Sequence, residues 1–233
     1  MKIALLGYGK MGKEIEKIAL HRGHEIVLKV DENTQEYAIT LADVAIEFSI
    51  PDKAVDNIKN CILNQVPVVS GTTGWIQHFD EVKKYCIEQN GAFIYASNYS
   101  LGVNLFFELN TQLAKLMHPF KDYQVSLEEI HHTQKLDAPS GTAISLAEQI
   151  IKNSEKTQWS LNPSSENDLL ITAKREEHVP GTHSVFYKSA VDEIEIKHTA
   201  FNRQGFALGA VIAAEWLVDK KGVFGMKDVL GIK

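Results

Sequence analysis

The chain has 233 residues, 44% of them hydrophobic and 23% charged, which is ordinary for a globular protein with a buried core. Its net charge of -6 comes without a basic run, which argues against nucleic acid as a partner. No apolar run approaches the ~20 residues of a membrane helix, and no signal-peptide pattern opens the chain, so we expect a cytoplasmic protein without a membrane partner. Cys61 and Cys86 lack zinc-ligand spacing and are expected to be buried free thiols.

The chain opens with a short apolar strand, Lys2 to Leu6, that runs into a G-x-G-x-x-G turn and then a helical pattern. In dinucleotide-binding folds these glycines allow a tight turn, a close approach to pyrophosphate, and close helix packing. A second strand, Glu25 to Val30, ends at an acid whose carboxylate suits ribose hydroxyls. This order predicts a dinucleotide site made of Gly7, Tyr8, Gly9, Lys10, Met11, Gly12 and Asp31.

Strands and helices alternate over the next sixty residues, with further strands expected at 44–48, 66–70 and 92–96. Such alternation predicts a parallel sheet that is covered by helices and binds ligands at the carboxyl ends of its strands. Two loops fall at such ends, Gly71-Thr72-Thr73 and Ala96-Ser97-Asn98-Tyr99. From their residues alone, both could equally be ordinary loops chosen for turn chemistry.

The middle of the chain changes character after a long helix that starts near Ser100 and stops before Pro119, because proline disfavours helix continuation. A strand is expected from Tyr123 to Ile130, and a polar, exposed loop at 152–166. The later strands, at 169–173, 184–188 and 192–199, have an antiparallel appearance. We therefore predict a second domain of the α+β class, followed by an apolar helix through Trp216.

The densest chemistry lies between 128 and 143, where a strand end carries His131 and His132. Adjacent strand residues point to opposite faces, so the two histidines should have different roles. Histidine can exchange a proton near neutral pH, while Lys135 offers a proton or a fixed charge. Ser140 or Thr142 could cap the following helix, whose first turn could bind an anion. Each piece alone could be incidental, but together they suit a small anionic substrate that is protonated.

From Glu129 to Ala143 the chain matches every fixed position of the pattern E-x-H-H-x-x-K-x-D-A-P-S-G-T-A. This pattern resembles that of the 4-hydroxy-tetrahydrodipicolinate reductase (dihydrodipicolinate reductase) family. The resemblance implies reduction of the cyclic imine formed when 4-hydroxy-tetrahydrodipicolinate loses water. The product is tetrahydrodipicolinate, in diaminopimelate and lysine biosynthesis, and the hydride comes from NADH or NADPH.

The same resemblance implies roles for individual residues. His131 would be the general acid/base and Lys135 the proton donor, although Lys135 could instead act only through its charge. The substrate-binding residues would be His132, Gly141 and Thr142. The cofactor would also be lined, near its nicotinamide, by Gly71, Thr72, Thr73, Ala96, Ser97, Asn98 and Tyr99. Ser97 departs from the proline or alanine that is more usual in the family.

The resemblance also implies a fold: a Rossmann-like parallel-sheet nucleotide domain at 1–101 and an α+β substrate and oligomerisation domain, with a mixed or antiparallel sheet, at 102–208. Residues 209–233 would return to the nucleotide domain. Family members form tetramers through the second sheet, and the clean alternation at 192–199 leaves a sheet face that needs cover, so we expect a homotetramer. The chain is shorter than typical members, which carry an additional strand pair after His183.

Asp31 and Glu32 predict a preference for NADH, because two adjacent acids repel the 2′-phosphate of NADPH. Lys10 and Lys29 could swing over and screen part of this repulsion. Two other functions remain open, another two-domain NAD-dependent dehydrogenase and a non-catalytic nucleotide sensor. The run of histidines, lysine and Pro-Ser-Gly-Thr argues against the first, and intact His131 and Lys135 argue against the second.

Overall fold

The computed structural model describes residues 1–34, 36–202 and 204–232. The chain forms two compact units, one made of Met1–Leu101 with Gln204–Lys233 and the other of Gly102–Arg203. The C-terminal segment thus belongs to the first unit from Gln204 onward, rather than from residue 209. Among the described residues, no helix combines the length and apolar character needed to cross a membrane.

Apart from two short strands that the sequence did not predict, the secondary structure follows the expected order along the chain. The strands are β1 (Lys2–Leu6), β2 (Glu25–Val30), β3 (Val44–Glu47), β4 (Val68–Ser70), β5 (Ala92–Tyr95), β6 (Gln124–His131), β7 (Gln158–Ser160), β8 (Asp168–Arg175), β9 (Gly181–Lys188), β10 (Glu193–Ala200) and β11 (Gly222–Phe224). The helices are α1 (Lys10–His21), α2 (Pro51–Leu63), α3 (Phe79–Glu88), α4 (Leu101–Met117), α5 (Gly141–Lys152), α6 (Gln204–Leu217) and α7 (Met226–Val229).

The first unit is a three-layer structure around a parallel sheet of order β11-β5-β4-β3-β1-β2. Successive strand residues pack on opposite faces: Ile3 and Leu5 pack with α1 and α6, whereas Ala4 and Leu6 pack with α2 and α3. Because both faces are covered, the strands are continuous apolar runs. The strand order reverses at β1, which creates the crevice where such sheets bind ligands. The Rossmann-like prediction is confirmed.

The second unit contains a mixed sheet of order β10-β9-β6-β8-β7. The prediction of antiparallel strands was only partly right. The pairs of β9 with β6 and β10 are antiparallel, but β8 runs parallel to β6 and β7 runs parallel to β8. The chain crosses over through α5 between β6 and β7, and a crossover of that length allows parallel pairing. The segment at 152–166, expected to be a polar, exposed loop, contains the short strand β7.

One face of this second sheet is covered by α4 and α5, and Val125 and Leu127 of β6 pack into the core between them. Ile196 of β10 packs against the same core, so the apolar side of β10 faces the unit's own helices. Alternation therefore places Glu195 and Lys197 on the opposite face. The alternation at 192–199 is therefore not by itself a sign of an uncovered apolar face on this sheet. In the first unit, Cys61 and Cys86 are buried free thiols, as predicted.

Candidate active site

The register of the second sheet assembles a polar cluster at the end of β6. Every second residue of β6 lies on the face that the helices cover, in the order Val125, Leu127, Glu129 and His131. The first two are apolar and the last two are polar. In the sheet register, Glu129 lies opposite His183 of β9, and His131 lies opposite Arg175 of β8. Side chains from three strands therefore meet at one sheet end, where the apolar core stops.

Glu129 is the centre of this cluster and is fully buried. Its Oε1 accepts a hydrogen bond from Arg175 Nη2 at 3.1 Å, and its Oε2 accepts one from the Ser140 N–H at 3.0 Å. His131 Nδ1 lies 3.3 Å from Oε2, within ion-pair distance. Burial alone raises the pKa of Glu129, but the contacts with His131, Ser140 and Arg175 outweigh it and hold the pKa at about 2. Glu129 is therefore an anion at neutral pH.

His183 lies beside this anion and is itself neutral. Burial, with the neighbouring His131 adding to it, lowers the pKa of His183 to about 4. Its Nε2 lies 3.1 Å from Ser140 Oγ, and the same oxygen accepts a hydrogen bond from the Ala143 N–H at 3.2 Å. Ser140 is thus the N-cap of α5, so of the two caps considered from the sequence the structure uses Ser140.

Glu129, His131 and His183 present ligand atoms within 4.8 Å of one another, a donor set that zinc uses in many proteins. Here Arg175 and Ser140 already bond the carboxylate, and Ser140 also bonds His183. A metal ion would have to break those contacts and would lie beside the guanidinium charge. We therefore interpret the cluster as a hydrogen-bonded network that holds the Glu129 carboxylate beside His131.

His131 has room for its ring because Gly181 lies next to it. A Cβ on Gly181 would come within 3.1 Å of His131 Nε2, so a larger residue would crowd the imidazole. The His131 side chain keeps 9% of its surface exposed. With Nδ1 directed at Glu129, Nε2 is the nitrogen left to exchange a proton.

Lys135 lies in the loop between β6 and α5, and its Nζ contacts both carboxylate oxygens of Asp137, at 2.8 and 2.7 Å. Arg175 holds this loop in place, since its Nη2 donates to the Asp137 carbonyl at 2.6 Å and its Nε to the Lys135 carbonyl at 3.3 Å. The same guanidinium therefore joins the Lys135 loop to Glu129. Arg175 therefore supports both candidate proton-transfer groups, Lys135 through its loop and His131 through Glu129.

The start of α5 is open to an anion. Ser140 accepts from the N–H groups of Ala143 and Ile144, which leaves those of Gly141 and Thr142 without a partner in the described parts of the chain. Among the described residues, no heavy atom beyond the adjoining backbone lies within 4 Å of the position that a Cβ on Gly141 would take. Unpaired N–H groups at a helix N-terminus attract a carboxylate. His132, half-buried, has an Nδ1 that is buried without a hydrogen-bond partner among the described residues.

The glycine turn of the first unit has the geometry that a dinucleotide needs. Gly7 has φ of 103°, and a Cβ on Gly12 would come within 2.4 Å of the Gly7 carbonyl oxygen, so neither position accepts a side chain. Gly9 starts α1 without any side-chain cap, and the space next to its Cα is open. Lys10 is exposed at the same turn. The turn therefore fits a pyrophosphate at the N-terminus of α1.

Asp31 is exposed at the end of β2, and hydrogen bonds from Thr34 and the Asn33 N–H lower its pKa. Both bonds go to Oδ1, at 2.9 and 3.0 Å, so within the described residues Oδ2 remains available to a ribose hydroxyl. Lys29, expected as a cation that could swing toward this site, is paired elsewhere in the structure. Its Nζ lies 2.6 Å from Glu16 Oε1 and over the Tyr8 ring, at 4.8 Å.

Several predicted cofactor residues turn their side chains into the protein. Tyr8 donates its hydroxyl to Glu16, and Met11 packs against the core. The Thr72 hydroxyl donates to Glu47, and the Tyr99 hydroxyl donates to the Ser70 carbonyl at 2.8 Å. The hydroxyl groups of Tyr8, Thr72 and Tyr99 are thus already engaged within the protein.

Other residues of the two carboxyl-end loops lie nearer the surface. Thr73 and Ser97 are exposed, and Gly71 and Ala96 are half-buried. Asn98 accepts a hydrogen bond from the Ser100 N–H at 2.9 Å.

Sequence reasoning left four residues of these sites without a role: Glu47, Glu129, Arg175 and His183. Glu129 could have been found, because a strand places it on the same face as His131 two residues later. The partners Arg175 and His183 lie on other strands, and only the register brings them together.

Comparison with known proteins shows the family of the chain. Residues 1–99 match the family model for the N-terminus of dihydrodipicolinate reductase, and residues 102–230 match the model for its C-terminus. The 4-hydroxy-tetrahydrodipicolinate reductase of Christiangramia forsetii is 55% identical over 99% of this chain and 98% of its own. That of Methanoregula boonei is 35% identical over 82% of this chain and 76% of its own.

The fold also has a close structural counterpart. A dipicolinate-bound dihydrodipicolinate reductase from Paenisporosarcina sp. TG-14 superposes with a TM-score of 0.81 at 21% identity, covering 97% of both chains. The continuous strand β9 runs through the point at which longer family members were expected to carry an additional strand pair. Because both family models and a full-length relative match, the chain belongs to the dihydrodipicolinate reductase family.

Proposed function

We propose that His131 is the general acid/base of this enzyme and that Lys135 is its proton donor. As a dihydrodipicolinate reductase, the protein reduces 4-hydroxy-tetrahydrodipicolinate, through its dehydrated cyclic imine, to tetrahydrodipicolinate with NAD(P)H. The observation that carries the role of His131 is its contact with the buried anion Glu129, 3.3 Å away. A carboxylate on Nδ1 stabilises the imidazolium and leaves Nε2 to exchange a proton.

The substrate carries two carboxylates and accepts a hydride and a proton in the reaction. We propose that one carboxylate binds the N–H groups of Gly141 and Thr142, with the Thr142 hydroxyl as a further donor. We also propose that His132, whose Nδ1 is buried without a partner in the described structure, binds another polar group of the substrate. The relative from Paenisporosarcina binds dipicolinate, a planar dicarboxylate, which supports this kind of ligand.

Lys135 can supply a proton or only a charge. Its ammonium group is held by Asp137 at 2.7 Å and is partly exposed, so it can move toward a substrate anion. A developing negative charge on the ring would be neutralised by transfer of a proton from Lys135. Lys135, neutral after this transfer, would take a proton from solvent before the next turnover, and the Asp137 carboxylate would again accept its hydrogen bonds.

On the nucleotide side, bound NAD(P)H supplies the hydride. We propose that the pyrophosphate binds at Gly9 and the N-terminus of α1, and that Asp31 Oδ2 accepts from a ribose hydroxyl. NADH is the preferred cofactor in this proposal, because Asp31 is ionised and Lys29 is already paired with Glu16. Gly71, Thr72 and Thr73 and the loop at 96–99 would contribute mainly backbone groups.

We further propose a homotetramer in the cytoplasm, assembled through the open face of the second sheet. That face presents Ile130, Leu170 and Phe186, which are only partly buried in the chain described. The charged side chains of β10 would surround this apolar centre, as polar rims surround many interfaces. Light scattering at micromolar concentration tests the assembly, and a monomer would refute it.

A coupled assay tests the reaction and the two roles together. Substrate is made from pyruvate and aspartate semialdehyde, and NAD(P)H absorbance is followed. His131→Ala and Lys135→Ala should each lower turnover by roughly 10²-fold or more, with NADH affinity nearly unchanged. Unchanged turnover, or equal loss of NADH binding, would overturn the roles.

A conservative variant separates the two functions of Lys135. Arginine keeps the charge but does not lose its proton in proteins. If Lys135 donates the proton, Lys135→Arg should be as inactive as Lys135→Ala. Substantial activity in Lys135→Arg would show that only the charge is needed.

A further inference from the structure

Glu47, the last residue of β3, is a buried carboxylate that takes no part in the proton transfer or the ribose contacts described above. It is fully buried, yet it lies at the carboxyl end of a strand, beside the loops where the sheet binds ligands. No ion pair to it is found among the described residues. A carboxylate is costly to bury unless several hydrogen bonds stabilise it.

Hydrogen bonds from two loops provide that stabilisation. Glu47 Oε1 accepts from the Ser49 N–H at 2.9 Å, from the Thr72 hydroxyl at 2.8 Å and from the Ser49 hydroxyl. Oε2 accepts from the Ser70 hydroxyl at 2.7 Å. One side chain therefore ties the loop after β3 to the loop after β4.

Further contacts fix the position of the second loop. The Gly71 N–H donates to the Glu47 carbonyl at 2.9 Å, and Thr72 Oγ1 also accepts from the Ser49 N–H at 2.8 Å. A Cβ on Gly71 would come within 2.2 Å of the Phe48 ring, so the loop lies directly on that ring. Because the Thr72 hydroxyl is turned inward, Thr73 is left as the exposed side chain of the loop.

We propose that Glu47 is a positioning residue for the cofactor. It holds Gly71, Thr72 and Thr73 so that their backbone groups face the ligand edge of the sheet. This inference rests on the proposed function, in which that loop contacts the nicotinamide half of NAD(P)H. It assigns Thr72 to the support of the loop rather than to direct contact through its hydroxyl.

The test compares Glu47→Ala and Glu47→Gln with the purified full chain. Glu47→Ala should weaken NADH binding by roughly tenfold or more, measured by nicotinamide fluorescence, and raise the KM for NADH more than it lowers kcat. Glu47→Gln should recover most of the affinity, because its oxygen can accept the three Oε1 bonds while its amide donates to Ser70. Dipicolinate, used as a probe of the second unit, should bind both variants like the parent protein.

A matched control separates positioning from general destabilisation. Ile58 is fully buried in the same apolar cluster but makes none of these polar contacts, so Ile58→Ala should lower the melting temperature and leave NADH affinity unchanged. If Ile58→Ala weakens NADH binding as much as Glu47→Ala does, the inference is wrong. If Glu47→Ala does not fold, Thr72→Val removes one donor at nearly constant volume and should still weaken NADH binding severalfold.

The outcomes distinguish this inference from the function on which it rests. A parent protein that does not bind NADH at all would contradict the proposed cofactor site. A parent protein that binds NADH, together with folded Glu47→Ala or Thr72→Val variants of equal affinity, would contradict the role of Glu47 alone.

Discussion

Arg175 Nη2 lies 2.6 Å from the Asp137 carbonyl oxygen and 3.1 Å from Glu129 Oε1, so one guanidinium joins the Lys135 loop to the carboxylate beside His131. This contact couples the positions of the two proposed proton-transfer groups. Movement of the loop would therefore disturb the support of His131 as well as Lys135.

The first prediction concerns this guanidinium. Arg175→Lys keeps the charge but loses the planar set of donors, so we expect kcat/KM for the substrate to fall by roughly tenfold or more. Affinity for NADH should stay unchanged, because no nucleotide residue is touched. Lys174→Ala is the control, since Lys174 pairs with Glu128 on the other face of the sheet. Equal losses in both variants would contradict the coupling.

The second prediction concerns the charge of Glu129. Glu129→Gln can keep an oxygen for either Arg175 or Ser140, but it loses the anion that stabilises protonated His131. We expect kcat to fall by roughly 10- to 100-fold and the pH profile of kcat to shift, with little change in NADH affinity. Glu128→Gln, one residue away on the opposite face, should leave the profile unchanged. A Glu129→Gln enzyme with the parent's pH profile would show that His131 acts without this carboxylate.

The sequence predicted much of the first unit because long apolar runs are unambiguous when both faces of a sheet are buried. It missed β11 (Gly222–Phe224), because a strand of three half-buried residues is too short to show a recognisable pattern. It also missed β7, because Gln158–Ser160 lies in a polar segment and pairs only with β8. In both cases tertiary pairing, rather than local preference, makes the strand.

In the candidate site, the contiguous pattern from Glu129 to Ala143 indicated the reactive residues, since a single stretch of chain carries them. Their support could not be found in the same way. Arg175 lies 46 residues from Glu129, and His183 lies 43 residues from Ser140. Only the register of β6 with β8 and β9 places these side chains in contact, and no local spacing encodes that register.

The third prediction concerns stability in mild acid. The pKa of His183 is about 4 in the folded protein, against about 6.5 for an unperturbed histidine, so the unfolded chain binds more protons between these pH values. Stability is therefore lost as the pH falls from about 6.5 toward 4, by on the order of 3 kcal/mol in total. Glu129 contributes in the same direction only below about pH 4.5, because its folded pKa is about 2.

Urea unfolding at pH 7 and pH 5 measures this effect. His183→Gln, which can keep a contact with Ser140, should lose less stability between the two pH values than the parent protein. Some dependence should remain, because burial also lowers the pKa of His198. The exposed His21→Gln is the control and should behave like the parent. If His183→Gln loses as much stability between pH 7 and pH 5 as the parent protein does, His183 is not the group that takes up the proton.

The last prediction concerns the choice between NADH and NADPH. Asp31, which is proposed to face the ribose, is ionised, and Lys29, the nearest cation in sequence, is held 2.6 Å from Glu16 on α1. A 2′-phosphate would therefore meet two acids and no available cation from β2, so kcat/KM should favour NADH by a modest factor. Glu32→Arg should improve the use of NADPH without harming that of NADH. Glu16→Gln should also improve it, because it releases Lys29 from its ion pair, whereas Glu14→Gln on the same helix should not. Both cofactors are compared in the same coupled assay, and a clear preference of the unmodified enzyme for NADPH would show that Asp31 and Glu32 do not face the ribose.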